Sequence, residues 1–591
     1  MDLAQRWLMA HGVEPAQAAT LATTARTRAR RYPLPVNHAW SVVLVAMNWL
    51  MPLVALGRLV RAQTLTRDDF ERLEQALQHH AWRWPRMLWQ FARLPLWEAL
   101  YGGASRPPDA VRAEAGSSAR AFDVIVIGSG AGGAPVATVL AERGLRVAIL
   151  EAGGPVVQAT PPEVIERYFL QQGMTLSLDG GSMPVFVGQG LGGTTAINSG
   201  TCLPPPQEWL ARWDTLAGTH LAQELPPYVA IASERIGVTV PPRSLLAASA
   251  GLMDAGLRAL GRKDAYVLPR NAPHCTGSGV CCFVCPTGAK QSTDRSFLPS
   301  ARAHGAAVFS HARATTIADG EAGVTVRVRV PDGLLELSAR HLVIAAGALQ
   351  TPGLIRRNRL GARWRRAGDH LKIHPAAKVF ALFAHTVGGE IGVPQGLGYQ
   401  PPEIPRVVLE GIFTPKSTVS PLLAAAGLRA DWWLARFEHL ATFGLMVRDR
   451  GSGSVREFLG RPILRYRLHA DDMRDMAQGL QLIGEAFFAA GAQALLLPLS
   501  AGPHEVHSVD ALRQIPLAAF TPSRLIASGF HPQGTAGIGR VVDGDLRLTP
   551  HISVCDGSVL PDSPGVNPQL AIMGLSLRLA DRLTAELTAH A

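Results

Sequence analysis

Between residues 122 and 151 the chain holds a hydrophobic strand, a glycine cluster, a helix, a second strand and an acid in one short unit. Phe122-Asp123-Val124-Ile125-Val126-Ile127 reads as a parallel-sheet strand buried on both faces, and it runs straight into Gly128-Ser129-Gly130-Ala131-Gly132-Gly133. In such a turn Gly128 lets the chain reverse tightly, Gly130 lets the backbone approach a pyrophosphate, and Gly133 lets the helix over 134–143 pack on the strand. The second strand, 146–150, ends in Glu151, where an acidic residue takes the ribose hydroxyls of an adenosine. The unit predicts a dinucleotide-binding βαβ fold with the helix N-terminus facing the phosphates.

A chain of 591 residues divides into about three units of ordinary domain size. With 47% hydrophobic and 17% charged residues it is globular and rather apolar, which excludes a disordered chain. The formal charge of +11 comes almost wholly from arginine, since lysine occurs only at 263, 290, 372, 378 and 416. That balance favours an anionic membrane surface or an acidic electron-transfer partner. No compact Lys/Arg run interleaved with aromatics occurs, so nucleic acid is not expected as a partner.

A Gly/Pro/Ser stretch over 102–108, continued by Gly116-Ser117-Ser118, sets off residues 1–115 as a separate helical module. Thr66 is expected to cap a helix whose first turn carries Asp68 and Asp69, with Phe70, Leu73 and Leu77 on its buried face. The run 39–56 is almost uncharged, carries Trp40 and Trp49, and is flanked by arginines. It admits three readings: a helix dipping into a membrane surface, a helix buried against the nucleotide-binding unit, or a membrane span weakened by Asn48 and Pro52. Arg30-Arg31 ahead of it is not followed by a small-residue cleavage site, which argues against an export signal.

Four further segments carry a resemblance. They are Gly188-Gln189-Gly190-Leu191-Gly192-Gly193-Thr194-Thr195-Ala196-Ile197-Asn198, then 342–352, then Ser528-Gly529-Phe530-His531-Pro532-Gln533-Gly534-Thr535, and finally Asp556-Gly557-Ser558 with Gly565-Val566-Asn567-Pro568-Gln569. Together with the glycine fingerprint, and in this order, they resemble the glucose-methanol-choline (GMC) oxidoreductase superfamily over about residues 121–585. The resemblance implies FAD, held by Gly128, Gly130, Gly133, Glu151, Gly190, Gly193, Thr194, Asn198, Asp556, Gly557, Asn567 and Pro568. It also implies that His531 is the base for a substrate hydroxyl and that Asn567 anchors the same oxygen. Imidazole titrates near neutrality, and asparagine donates a hydrogen bond without titrating, so both residue types suit those roles. His-Pro-x-Gly paired with Gly-Val-Asn-Pro is similar to the long-chain alcohol oxidase and cholesterol oxidase branch, and the N-terminal module resembles the extension of long-chain alcohol oxidases. His374 is expected to be structural.

Four of the six cysteines lie in Cys275-Thr276-Gly277-Ser278-Gly279-Val280-Cys281-Cys282-Phe283-Val284-Cys285. Cys275, Cys281 and Cys285 have spacing suited to an iron-sulfur cluster; a reduced structural loop near the flavin, and a disulfide or zinc site, are the other readings. Either of the first two implies a reducing compartment, hence a cytoplasmic protein, peripheral to a membrane if the N-terminal module docks there.

The fold expected is therefore α/β (α+β overall): an FAD-binding Rossmann-like domain over 121–365 and 505–591, a substrate-binding domain with an antiparallel sheet over 366–504, and the helical module. Apolar segments such as 422–426, Trp432-Trp433-Leu434 and Phe443-Gly444-Leu445-Met446 suggest a hydrophobic pocket and an apolar alcohol. Oxygen, or a quinone or cytochrome if a cluster is present, would take the electrons. The competing readings are a cluster-containing dehydrogenase, a non-catalytic flavin electron carrier, and the family's light-driven fatty-acid decarboxylases, against which the His531 turn counts.

Overall fold

The computed structural model describes residues 2–31, 36–78, scattered positions from 80 to 99, 120–177, 183–419, 430–500 and 502–589. The interdomain stretch at 102–118 and the apolar segment 422–426 lie outside the described residues. The glycine unit forms strand β1 (Ala121–Ile127), helix α1 (Gly133–Glu142) and strand β2 (Val147–Leu150). A Cβ on Gly133 would stand 2.0 Å from the Gly128 carbonyl oxygen, so only glycine lets α1 start this close to the turn. β2 pairs in parallel with β3 (Ala307–Phe309), and β1 with β4 (Gly333–Ile344). With Ile552–Val554 added in parallel to β4, these strands are the heart of an eight-stranded sheet among the described residues.

The second sheet has twelve described strands and is built on the long strand β5 (Asp369–Leu382). Strand β6 (Val407–Glu410) pairs with β7 (Leu440–Val447), which pairs with β5, all antiparallel as expected. Strand β8 (Ser528–Gln533) lies along the opposite edge of β5 from β7, Ala376 pairing with Met446 on one side and Ser528 on the other, with a shift of register between Lys372 and His374. The helix Ala470–Ala489 buries Met476, Leu480, Ile483 and Phe487 in the core of this sheet, to which Leu170, Met183 and Met253 also contribute. Helix α2 (Gln569–Ala589) returns the chain to the first core through Leu570, Met573 and Leu575.

The N-terminal module is a set of helices, among them Leu3–Ala10, Pro15–Arg31, Val36–Trp49, Met51–Leu56 and Arg67–Gln78. Thr66 caps the last of these by accepting from the Asp69 amide at 3.2 Å, and Phe70, Leu73 and Leu77 are buried. The apolar run 39–56 is broken: the first helix stops at Trp49, and a short second one carrying Pro52 in its first turn ends at Gly57 in the left-handed conformation. No helix among the described residues is long and apolar enough to cross a membrane, which removes the spanning reading. Nor is the run buried against the nucleotide-binding unit, since Val43, Met47 and Met51 pack with Trp7, Phe70 and Trp89 in a cluster drawn wholly from residues 3–99.

Candidate active site

One cavity of about 1100 Å³ runs between the two sheets. At one end its wall is the β1–α1 turn, with Gly128, Ser129, Gly130, Ala131 and Gly132, and the side chain of Glu151. Glu151 accepts from the Ser129 hydroxyl at 2.7 Å and the Gly153 amide at 2.9 Å, and burial raises its pKa despite those bonds. Gly130 lines the cavity, and a Cβ there would meet Gly193 Cα at 3.8 Å and the Gly192 carbonyl oxygen at 3.9 Å, ordinary contacts without a clash. A helix N-terminus, a glycine in the cavity wall and an acid at the end of the next strand are the features that the pyrophosphate and adenosine ribose of a dinucleotide require.

The remaining cofactor candidates continue along the same wall. Gly193, Thr194, Asn198, Asp556, Gly557, Asn567 and Pro568 all face the cavity, whereas Gly133 and Gly190 are set behind it. Asp556 is spent on the protein itself: it accepts from the Gly347 amide at 2.8 Å, the Thr351 hydroxyl at 2.5 Å and the Ser558 amide at 2.7 Å, fixing the loop after β4. Asn198 is held by Gln569 on one side and accepts from the Gly200 amide at 3.1 Å.

His531 lies on β8 at φ +55°, a left-handed conformation rare outside glycine, next to the register shift between β5 and β8. Its Nδ1 is 2.8 Å from Nδ1 of His374, whose Nε2 is 2.6 Å from the Ser563 hydroxyl. On the other side, Nδ2 of Asn567 is 3.4 Å from His531 Nε2, and Oδ1 of Asn567 has no hydrogen-bond partner. Burial holds the pKa of His531 down at about 4, and burial with the neighbouring imidazole takes His374 well below its ordinary value. Both rings are therefore neutral near pH 7. If His531 Nδ1–H donates to His374 and His374 Nε2–H donates to Ser563, His531 Nε2 is left as a lone pair facing Asn567 and the cavity.

Two residues of this wall had no signal in the sequence. Glu410, at the end of β6, faces the cavity with its Oε2 unpartnered; burial raises its pKa to about 7, while Asn567 and Gln395 act the other way. Lys378 on β5 faces the same cavity, and burial lowers its pKa to about 8. Apolar groups including Met174, Phe186, Phe380, Met446 and Phe530 line much of the rest.

The cysteine loop is not assembled for a metal. Cys275 accepts from the Gly277 amide at 3.4 Å, Cys281 from the Arg270 guanidinium at 3.1 Å, and Cys285 lies 3.4 Å from the Thr287 hydroxyl. Among the described residues no group of three or more His, Cys, Asp or Glu could hold a metal ion, and all six cysteines are free thiols. Instead Lys290 ties the loop to the cavity wall, donating to the Ala196, Asn198 and Cys281 carbonyls at 2.9, 2.7 and 2.9 Å.

Family models described as GMC oxidoreductase match residues 123–376 and 453–576. An uncharacterized GMC-type oxidoreductase of Mycobacterium tuberculosis is 36% identical over 78% of this chain and 76% of its own length. Long-chain-alcohol oxidase FAO3 of Arabidopsis thaliana is 27% identical, over 79% of this chain and 68% of its own. Among solved structures, pyridoxine 4-oxidase from Mesorbium loti aligns with a TM-score of 0.61 at 16% identity, over 78% of this chain and 99% of that one. A variant of the formate oxidase of Aspergillus oryzae RIB40 aligns at 0.60 and 16%, over 80% and 100%. At such identities the structural likeness speaks for the fold alone.

Proposed function

This chain belongs to the GMC oxidoreductase family and is an FAD-dependent oxidoreductase of CH–OH groups, and from that premise we propose that it oxidises a long-chain or polycyclic apolar alcohol to the aldehyde or ketone. The observation that carries the proposal is the facing pair of His531 Nε2 and Asn567 Nδ2 in the wall of a largely apolar cavity. In this reading the substrate oxygen sits within reach of both. His531 Nε2 takes the hydroxyl proton, and Asn567 Nδ2 donates to the oxygen as negative charge builds on it. His374 holds the His531 ring in the tautomer that leaves Nε2 free, and Ser563 holds His374. Bound FAD supplies the acceptor for the hydride leaving the carbinol carbon.

The fingerprint residues Gly128, Gly130 and Glu151, with Gly193, Thr194, Asn198, Gly557 and Pro568 along the wall, would hold that cofactor, while Gly133 and Gly190 shape the backbone behind it and Asp556, in the wall, fixes the loop after β4. Apolar lining and the long-chain-alcohol oxidase relative support the substrate class, and the oxidase names of the relatives support oxygen as acceptor. A lipid surface as the source of such a substrate is supported by the N-terminal module. Val42, Val45, Trp49 and Leu53 recur at helical spacing and remain 68, 61, 53 and 43% exposed, with the Arg61 guanidinium 4.0 Å over the Trp49 ring.

The test is anaerobic bleaching of the flavin by octanol, hexadecanol, a sterol and glucose. Bleaching by an apolar member and not by glucose is expected; bleaching by glucose alone would overturn the substrate class.

A further inference from the structure

Lys378 sits in the cavity wall without a counter-charge among the described residues. It lies four residues beyond His374 on β5, and by the two-residue alternation of a strand His374, Ala376, Lys378 and Phe380 share one face. The last three all line the cavity. Across the sheet Lys378 is paired with Gly444, which has no side chain to cover the ammonium.

Among the described residues the lysine Nζ makes one hydrogen bond, to the Ile412 carbonyl at 3.5 Å, although an ammonium has three donors. The ionisable group acting on it among the described residues is the Cys282 thiol, whose own pKa burial pushes up to about 11, so that the thiol is neutral near pH 7. Glu410 flanks Gly444 on the other side but interacts with Asn567 and Gln395 instead. A cation left in this state inside an apolar wall is costly unless a ligand brings the missing charge.

We propose that Lys378 anchors a carboxylate at the far end of the substrate, so that the preferred alcohol is a hydroxy acid whose carbinol reaches His531 while its carboxylate pairs with Nζ. The inference rests on the alcohol-oxidation reading above. Four residues along the strand separate the level of His374 from that of Lys378 by about 13 Å, with Ala376 and Met446 between and beside them, so an aliphatic chain must link the two polar ends. An ammonium suits a lone carboxylate as a point charge.

The experiment compares 12-hydroxydodecanoate with its methyl ester, which keeps the length and removes the charge, in flavin reduction by the holoenzyme. The kcat/KM ratio of acid to ester is expected to favour the acid by about 30-fold or more in the parent protein, the range for a buried charge pair. Lys378→Met is expected to bring the ratio near one, and Lys378→Arg to keep most of it, with FAD content and thermal midpoint reporting that both variants fold. Equal use of acid and ester by the parent, or a preference that survives in Lys378→Met, would overturn the proposal. Dodecanoate binding, read from the flavin absorption spectrum, separates the two levels of inference. If no alcohol bleaches the flavin but dodecanoate binds the parent and not Lys378→Met, the anchor stands and the alcohol reading falls.

Discussion

His531 and His374 meet Nδ1 to Nδ1 at 2.8 Å, so one ring must donate and the other accept, and a single proton lies between them. The arrangement gives His531 the posture of a base whose back nitrogen is held, as a carboxylate holds the imidazole of a catalytic triad. His531→Ala is expected to slow flavin reduction by about 100-fold or more with FAD retained. His374→Ala is expected to lose on the order of tenfold, as for partners that orient a metal-bound imidazole. His374→Gln, which keeps an acceptor, should recover part of that loss. Rapid-mixing measurement of flavin bleaching decides it: parental rates in His531→Ala would mean that another group takes the proton.

The acid limb of flavin reduction should lie near pH 4. Burial alone holds His531 at about 4, against an ordinary 6.5. Lowering the pH adds the proton and removes the base, so the rate is expected to hold down to about pH 5 and to fall through 4. A stopped-flow pH-jump series checks this, and a limb centred near 6.5 would show that the imidazole keeps its ordinary basicity in the working complex.

Glu410 predicts a stability effect of opposite sense. Its folded pKa of about 7 lies above the ordinary 4.5, so the stability tied to its protonated form is complete below pH 4.5 and is lost as the pH rises through 7. Glu410→Gln has no proton to lose. The thermal midpoints of variant and parent should coincide in weight of this term at low pH and separate in favour of the variant between pH 4.5 and 8, by about 3 kcal/mol for a shift of this size. A gap independent of pH would mean that Glu410 is not held protonated.

Gly130 and Gly133 should separate cofactor from fold. A Cβ at Gly133 would strike the Gly128 carbonyl at 2.0 Å, whereas one at Gly130, in the cavity lining, would only touch Gly193 Cα at 3.8 Å. Gly133→Ala is expected to be poorly folded, and Gly130→Ala to fold but purify colourless. Circular dichroism and the 450 nm flavin band read the two outcomes, and a yellow Gly130→Ala would displace the pyrophosphate from this turn.

What could be read from the chain was what it writes consecutively. The strand, glycines, helix and acid of 121–151 form a local unit, and the turns carrying His531 and Asn567 are each specified within a few neighbouring residues. Lys378, Glu410 and the His374–His531 contact arise from the registers of β5, β6, β7 and β8, which join positions some 30 to 160 residues apart and leave no local pattern. Cys275, Cys281 and Cys285 show the reverse: their spacing suits a cluster, but Arg270, Gly277 and Thr287 engage the thiols one by one. The run 39–56 has the composition of one long helix, and Pro52 and Gly57 divide and end it.

The two ends of the proposed proton-and-oxygen pair come from different cores: His531 from a strand of the twelve-stranded sheet, Asn567 from the turn ahead of α2, which packs in the first core. Their 3.4 Å separation is thus a gauge of how firmly the two halves are docked. In gradual denaturation, chemistry is expected to vanish when the halves loosen, while each sheet keeps its own circular dichroism, so inactivation becomes a more sensitive report of interdomain seating than any measure of secondary structure.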